Sequence, residues 1–139
     1  MPLRDILINE EGWENKTYPD QDGNHTWGAG HLDPHSPIGE FHTNEQIGLQ
    51  LDTDIATARN ALLSNLPWVA NLDQVRRDAL TDMAFQMGVG KLVGFHKMLA
   101  DVQAGDWSSA SAEGLNSVWA LQTPNRAKAV MRRLATGVE

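Results

Sequence analysis

The chain has 139 residues, enough for one domain or for two small lobes that share a core, and a chain this long buries roughly 68% of its unfolded surface without a metal or disulfide staple. The absence of cysteine excludes thiol nucleophiles and cysteine-ligated zinc, and a net charge of −7, from eleven Lys and Arg against eighteen Asp and Glu, makes nucleic acid an unexpected partner. The longest apolar candidate, Ala61 to Leu72, is interrupted by Ser64, Asn65, Pro67 and Asn71 and falls short of the ~18 residues a membrane span needs, while the opening Met1-Pro2-Leu3-Arg4-Asp5-Ile6 lacks the basic stretch and apolar block of a secretory signal.

A soluble chain with no membrane insertion and no export address is therefore expected. Residues 3 to 11 predict a helix: Leu3, Ile6 and Leu7 recur at helical spacing, Pro2 suits the first turn, and Gly12 stands where a left-handed cap belongs. From Lys16 to about Pro37 helical period stops, and Gly, Asp, Asn, Thr and Pro dominate, the composition of a short-stranded β lobe. After Thr43 or Asn44, either of which can cap, Ile47, Leu51, Ile55, Ala58 and Leu62 form one stripe up to Asn65-Leu66-Pro67. Asp73 opens a second strong helix, with Leu72, Val75, Ala79, Leu80, Met83 and Met87 on one face, Arg76, Arg77 and Asp78 opposite, and Gly88 and Gly90 at its end. Shorter helices are expected over about Leu92 to Gln103, Trp107 to Leu115 and Pro124 to Ala135.

The pattern predicts an α+β, mainly helical fold in which a small antiparallel β lobe (about 14–35) is inserted after the first helix. In this single-domain reading residues 12–42 form the β lobe, 43–65 the connecting helix, and 1–11 plus 66–139 the helical lobe, with a groove between lobes as the expected ligand site.

The densest run of reactive side chains lies between Glu11 and His31. Glu11 falls in the last turn of an apolar helix, where the negative end of the dipole and apolar neighbours both disfavour its ionised form, an environment suited to a general acid. Asp20 precedes a turn whose length decides its orientation. A two-residue loop at Asp22-Gly23 pairs Asp20 with His25 and sends Thr26 to the other face, whereas a three-residue loop Gln21-Asp22-Gly23 pairs Asp20 with Asn24 and makes Thr26 its diagonal neighbour. The three-residue loop is the expectation, because only that register builds a site. Two carboxylates in unlike environments flanking a cleft are what glycoside hydrolysis requires. Thr123-Pro124-Asn125-Arg126 reads as a cap, a first-turn proline and an arginine opposed to the helix dipole, so Arg126 needs an anionic partner, for which Glu11 is the candidate.

Glu11-Gly12 followed by Tyr18-x-Asp20-x-x-Gly23-x-x-Thr26-x-Gly28-x-Gly30-His31-Leu32 resembles the catalytic hairpin of the T-even-type phage lysozymes, glycoside hydrolase family twenty-four. Leu72-Asp73-x-Val75-Arg76-Arg77-x-Ala79 leading to Met83-x-Phe85-Gln86-Met87-Gly88, and Gln122-Thr123-Pro124-Asn125-Arg126-Ala127-Lys128, are similar to that family's core helix and its Arg-bearing helix. The resemblance implies a lysozyme-like fold and a bacteriolytic muramidase, an endolysin that cuts the β-1,4 bond between N-acetylmuramic acid and N-acetylglucosamine with inversion. It implies Glu11 as acid, Asp20 and Thr26 as the residues that position water, Leu32, Phe85 and Gln86 as sugar contacts, and His31 and Arg126 as supporting residues. Phe85 reads equally well as core by its spacing with Met83 and Met87. The segment Asp33 to His42 is shorter than the family's usual run. The implied partner is the glycan strand of peptidoglycan, met by a monomer that needs no cofactor and waits in the host cytoplasm until the membrane opens onto the periplasmic wall.

Two other readings compete. Asp20-x-Asp22-x-Asn24 opens like a calcium loop, but His25 stands at the glycine position and His31 at the terminal glutamate position, so no metal is expected, and the histidines read as hydrogen-bonding loop residues. A glycan-binding or tail-associated module with the same fold and no hydrolysis is the second.

Overall fold

In the computed structural model, which describes residues 1–139, the opening helix α1 spans Leu3–Glu11 and buries Leu3, Ile6 and Leu7. Gly12 ends it at φ +85°, a conformation that a side chain would disfavour, and its N–H donates to Ile8 O at 2.9 Å. The chain then forms β1 (Glu14–Pro19), β2 (His25–Gly28) and β3 (His31–Leu32), an antiparallel sheet in that order. The outer edge of β1 is covered by the loop before the next helix: Thr17 N–H donates to Glu40 O at 3.0 Å, Gly39 N–H to Thr17 O at 2.8 Å, and His42 N–H to Asn15 O at 2.7 Å. An unpaired strand edge is thereby avoided.

This lobe is short of large aliphatic side chains, and polar groups fill its interior. Thr17, Ser36 and His42 are all buried, with Thr17 Oγ1 at 2.6 Å from Ser36 Oγ and 3.1 Å from His42 Nε2. The His42 ring stacks on Trp27 at 3.8 Å between centroids.

Helix α2 (Asn44–Asn65) starts with reciprocal capping, the Gln46 N–H donating to Thr43 Oγ1 at 3.1 Å and the Thr43 N–H to Gln46 Oε1 at 2.8 Å. Its stripe of Ile47, Leu51, Ile55 and Leu62 is buried as the spacing predicts. Cα neighbours divide the chain into two compact units, Met1–Thr57 and Ala58–Glu139, so that α1 belongs with the sheet and α2 contributes to both units.

The second unit contains a 3-10 turn (Pro67–Asn71), α3 (Gln74–Met87), α4 (Val89–Leu92), α5 (His96–Ala104), α6 (Trp107–Leu115), α7 (Val118–Gln122) and α8 (Pro124–Thr136). Its core gathers Leu80, Met83, Leu92, Met98, Val102, Val130, Met131 and Leu134, each at most 1% exposed. The arrangement as a whole is the expected α+β, lysozyme-like one. None of the helices is long and apolar enough to cross a membrane.

The sequence pattern fails in three places here. The helix expected from Leu92 to Gln103 is two, α4 and α5, separated by a turn in which Gly94 N–H reaches Lys91 O at 3.1 Å. Between the helices expected over Trp107 to Leu115 and Pro124 to Ala135 the chain forms a further one, α7, which Ser117 Oγ caps by accepting the Ala120 N–H at 3.2 Å. The polar face expected on α3 is narrower than its spacing suggests: Arg77 and Asp78 stay partly exposed, but Ala79 to Ala84 are all buried and Arg76 folds inward. Arg76 Nε donates to Leu134 O at 2.8 Å and Nη2 to Ala135 O at 3.0 Å, and its guanidinium lies 3.8 Å over the Trp107 ring. A cation on the last carbonyls of α8 satisfies groups that the helix leaves open and complements its dipole. Arg76→Ala is expected to lower unfolding free energy by about 2–3 kcal/mol in urea titration, the cost of orphaning charge-assisted acceptors; a loss under 0.5 kcal/mol would contradict this role.

Candidate active site

Glu11 is the last residue of α1, and its side chain lies against the turn between β2 and β3. A methyl group built on Gly30 would overlap Glu11 Oε2 and stand 3.0 Å from the carboxyl carbon. Gly30 also has φ +72°, so backbone and neighbour both require glycine there. The sheet thus holds the carboxyl of Glu11 within the first unit.

The hairpin adopts the three-residue loop. Asp20 N–H donates to Asn24 O at 2.9 Å, Gly23 N–H to Asp20 O at 3.0 Å, and Gly23 sits at φ +81°. Beyond the loop Pro19 faces His25 and Tyr18 faces Thr26, and Thr26 in turn faces Leu32 of β3. Strand alternation therefore places Asp20, Tyr18, Thr26 and Leu32 on one face, with Asp20 diagonal to Thr26. Further along, Glu14 pairs with Gly28, so β1 advances four residues while β2 advances two between these pairs. Such a bulge re-aims the residues beside it.

Each group on this face has a defined state. Asp20 Oδ1 accepts the N–H of Asn24 at 2.8 Å and of Asp22 at 2.9 Å, and Asn24 Nδ2 approaches Oδ2 at 3.4 Å. These donors, the Asn24 backbone foremost, hold the Asp20 carboxyl below the usual aspartate range. Thr26 is 3% exposed and its hydroxyl donates to Asn24 O at 3.0 Å, which leaves the Oγ1 lone pairs as acceptors. The Tyr18 phenol is pushed up by burial and then by Glu14, Glu11 and Asp20, so both candidate catalytic carboxylates lie within electrostatic reach of one ring. His31 Nδ1 lies 2.8 Å from Asp54 Oδ2, whose other oxygen accepts from Gln50 Nε2 at 2.9 Å, and this ties β3 to α2. Leu32 is 58% exposed, free to meet a ligand. No group of three or more His, Asp or Glu side chains is arranged to hold a metal ion.

The second unit carries the other predicted residues. Phe85 is half-buried near the end of α3. Gln86 Oε1 accepts from Trp119 Nε1 at 2.8 Å and Gln86 Nε2 donates to Thr123 Oγ1 at 3.4 Å, which fixes the amide and leaves it one N–H. Arg126 Nε and Nη2 donate to Asp82 Oδ1 at 3.1 and 2.9 Å. The helix-dipole argument asked for an anion near Arg126, and Asp82, 1% exposed, supplies one.

The sequence profile of the phage lysozyme family matches residues 8–136. The chain belongs to the phage lysozyme family. It is 31% identical to the pre-baseplate central spike protein Gp5 of Enterobacteria phage T4 in an alignment that covers 99% of this chain but 28% of that protein. Probable T4-type lysozymes 1 and 2 of Dictyostelium discoideum are 29% and 31% identical, each alignment covering 97% of this chain and 94% of theirs.

Two residues of this phage lysozyme family member escaped the sequence reading. Asp82 carried a signal, since a carboxylate between Leu80 and Met83 on an otherwise apolar helix face demands a buried cation. Tyr18 carried another, because the register that sets Asp20 beside Thr26 sets Tyr18 directly across from it. Gly30→Ala is expected to displace the Glu11 carboxyl and strain the turn, costing about 1–3 kcal/mol by thermal or urea unfolding; undiminished stability would contradict the close contact.

Proposed function

We propose that this chain is a peptidoglycan hydrolase of the lysozyme type, cleaving the β-1,4 bond between N-acetylmuramic acid and N-acetylglucosamine. The observation that carries the reading is the hairpin register, which sets the ionised Asp20 and the acceptor oxygen of Thr26 on one face within electrostatic reach of the phenol that also feels Glu11. Glu11 gives its proton to the glycosidic oxygen as that bond breaks. Water accepted by Asp20 and Thr26 Oγ1 attacks the anomeric carbon from the opposite side, and Asp20 takes up the proton released. The product anomer is inverted, the outcome expected when two carboxyls leave ~6.5–9.5 Å for a water between them.

Leu32, exposed in the same row as Tyr18 and Thr26, supplies an apolar contact to a sugar ring. Phe85 and Gln86 are proposed to add a ring contact and the remaining amide N–H to an acetamido group, and His31 and Arg126 to hold neighbouring parts in place. The chain acts as a monomer on the bacterial wall, reaching it from the host cytoplasm once the membrane is open. A tail-associated role is the second reading, favoured by the match of nearly the whole chain to 28% of a phage spike protein; a non-hydrolytic module is disfavoured by the presence of Glu11, Asp20 and Thr26 together.

Glu11→Gln removes the transferable proton at almost constant volume, so clearing of permeabilised bacteria is expected to stop while the melting temperature holds. Substantial residual clearing would refute the acid assignment. Asp20→Asn keeps an oxygen for the Asn24 and Asp22 N–H groups, and is expected to lower kcat on the order of 10²-fold or more without unfolding the hairpin; wild-type kcat would remove Asp20 from the mechanism. Because hydrogen bonds keep Asp20 ionised below the ordinary aspartate range, lowering the pH protonates it later than a free aspartate. A kcat/KM profile, recorded with permeabilised substrate well below KM, should lose its acid limb only below that range; a limb above it contradicts the assignment.

A further inference from the structure

We propose that Tyr18 is a substrate-contact residue, donating its phenolic hydroxyl to an oxygen of the sugar seated at the reacting position and lining that position with its ring. This rests on the hydrolase reading and adds a residue that the resemblance did not assign.

Three independent features of the structure converge on this side chain. The register pairs Tyr18 with Thr26 directly across β1 and β2, and Thr26 with Leu32 across β2 and β3, so Tyr18, Thr26 and Leu32 form one row on the face that bears Asp20. The β1 bulge between Glu14 and Tyr18 falls immediately before it, the position from which a bulge turns a side chain toward a site. The ring is half-buried, so it is held in place while part of it remains accessible.

Chemistry decides what the hydroxyl does there. Burial and then the negative charges of Glu14, Glu11 and Asp20 disfavour the ionised phenol, so the group remains an O–H donor well into alkaline conditions. No hydrogen bond inside the protein consumes that donor, whereas the neighbouring Thr26 hydroxyl is committed to Asn24 O and the Asp20 carboxylate to the Asn24 and Asp22 N–H groups. The face therefore presents acceptors at Asp20 and Thr26 and one neutral donor at Tyr18. A pyranose ring with its hydroxyl and acetamido oxygens fits that set: acceptors hold the incoming water, the donor takes a sugar oxygen, and the aromatic face meets the C–H side of the ring. A site built to bond a substrate oxygen loses binding when the donor is removed.

The test compares wild type, Tyr18→Phe and Tyr18→Leu, with Glu11→Gln as the control for chemistry. Hydrolysis of purified peptidoglycan fragments gives kcat and KM, thermal unfolding gives stability, and titration of chitooligosaccharides into each protein by NMR gives affinity. Tyr18→Phe is expected to raise KM about 3–10-fold with kcat changed less than about 3-fold and an unchanged melting temperature. Tyr18→Leu should raise KM further, since the ring is lost as well. If Tyr18→Phe matches wild type in both KM and chitooligosaccharide affinity while Glu11→Gln is inactive, the tyrosine proposal fails and the hydrolase reading stands. If wild type hydrolyses nothing, the hydrolase reading fails, and the titration alone decides: weaker binding by Tyr18→Phe upholds the contact, and equal or absent binding overturns it. A fall in melting temperature with unchanged KM would assign Tyr18 to packing and overturn the proposal.

Discussion

The register of one hairpin governs everything the candidate site does. Side-chain direction alternates along a strand, so a slip of one residue between β1 and β2 would send Asp20 and Thr26 to opposite faces. Gly23 at φ +81° permits the three-residue loop, and the Asp20 carboxylate locks it from inside by accepting two backbone N–H groups. The same bonds that set the register also keep Asp20 charged. Geometry and electrostatics at this residue are thus one device, and the close seat of Glu11 on Gly30 brings the opening helix to the sheet it serves.

The two units achieve rigidity by different means. Ala58–Glu139 is held by an aliphatic and methionine core, reinforced where Arg76 binds the last carbonyls of α8 and Asp82 binds Arg126. Met1–Thr57 has a smaller apolar stock, and its sheet is fixed by the Thr17, Ser36 and His42 hydrogen bonds, the Trp27–His42 stack and the His31–Asp54 pair. Polar networks of this kind specify one arrangement when every member is satisfied. Eleven of the eighteen acidic residues and only two of the eleven basic ones fall in Met1–Thr57, so the candidate catalytic groups sit in a negative field. Such a field favours an oxocarbenium-like transition state and disfavours an anionic polymer, and salt acts on both effects.

The elements with strong period were legible from residues alone: α1 from Leu3, Ile6 and Leu7, α2 from its Ile47-to-Leu62 stripe and Thr43 cap, α8 from Pro124 in its first turn, although Thr123 donates its hydroxyl to Trp119 O at 3.1 Å and does not cap the helix as its type suggests. The hairpin register of the candidate site was legible where turn chemistry limited the choices, since Gly23 in the loop left two registers and only one placed Asp20 beside Thr26. What escaped lay where tertiary contacts override local pattern. Arg76 reads as surface charge until the carbonyls of Leu134 and Ala135 are in view. Asp82 reads as an error on an apolar face until Arg126 arrives from 44 residues away. The role of Ser117 as a cap and the division at Gly94 each depend on short-range bonds that composition leaves ambiguous.

The claim on which the mechanism stands is that water, held by Asp20 and Thr26, attacks directly opposite the departing oxygen. Proton NMR of the first reducing ends released from peptidoglycan by the wild-type chain, recorded before mutarotation equilibrates them, tests it most directly. The account predicts that the α-anomer forms first from the β-linked strand. Initial release of the β-anomer would show retention through two displacements and would contradict direct attack by a water held between two residues.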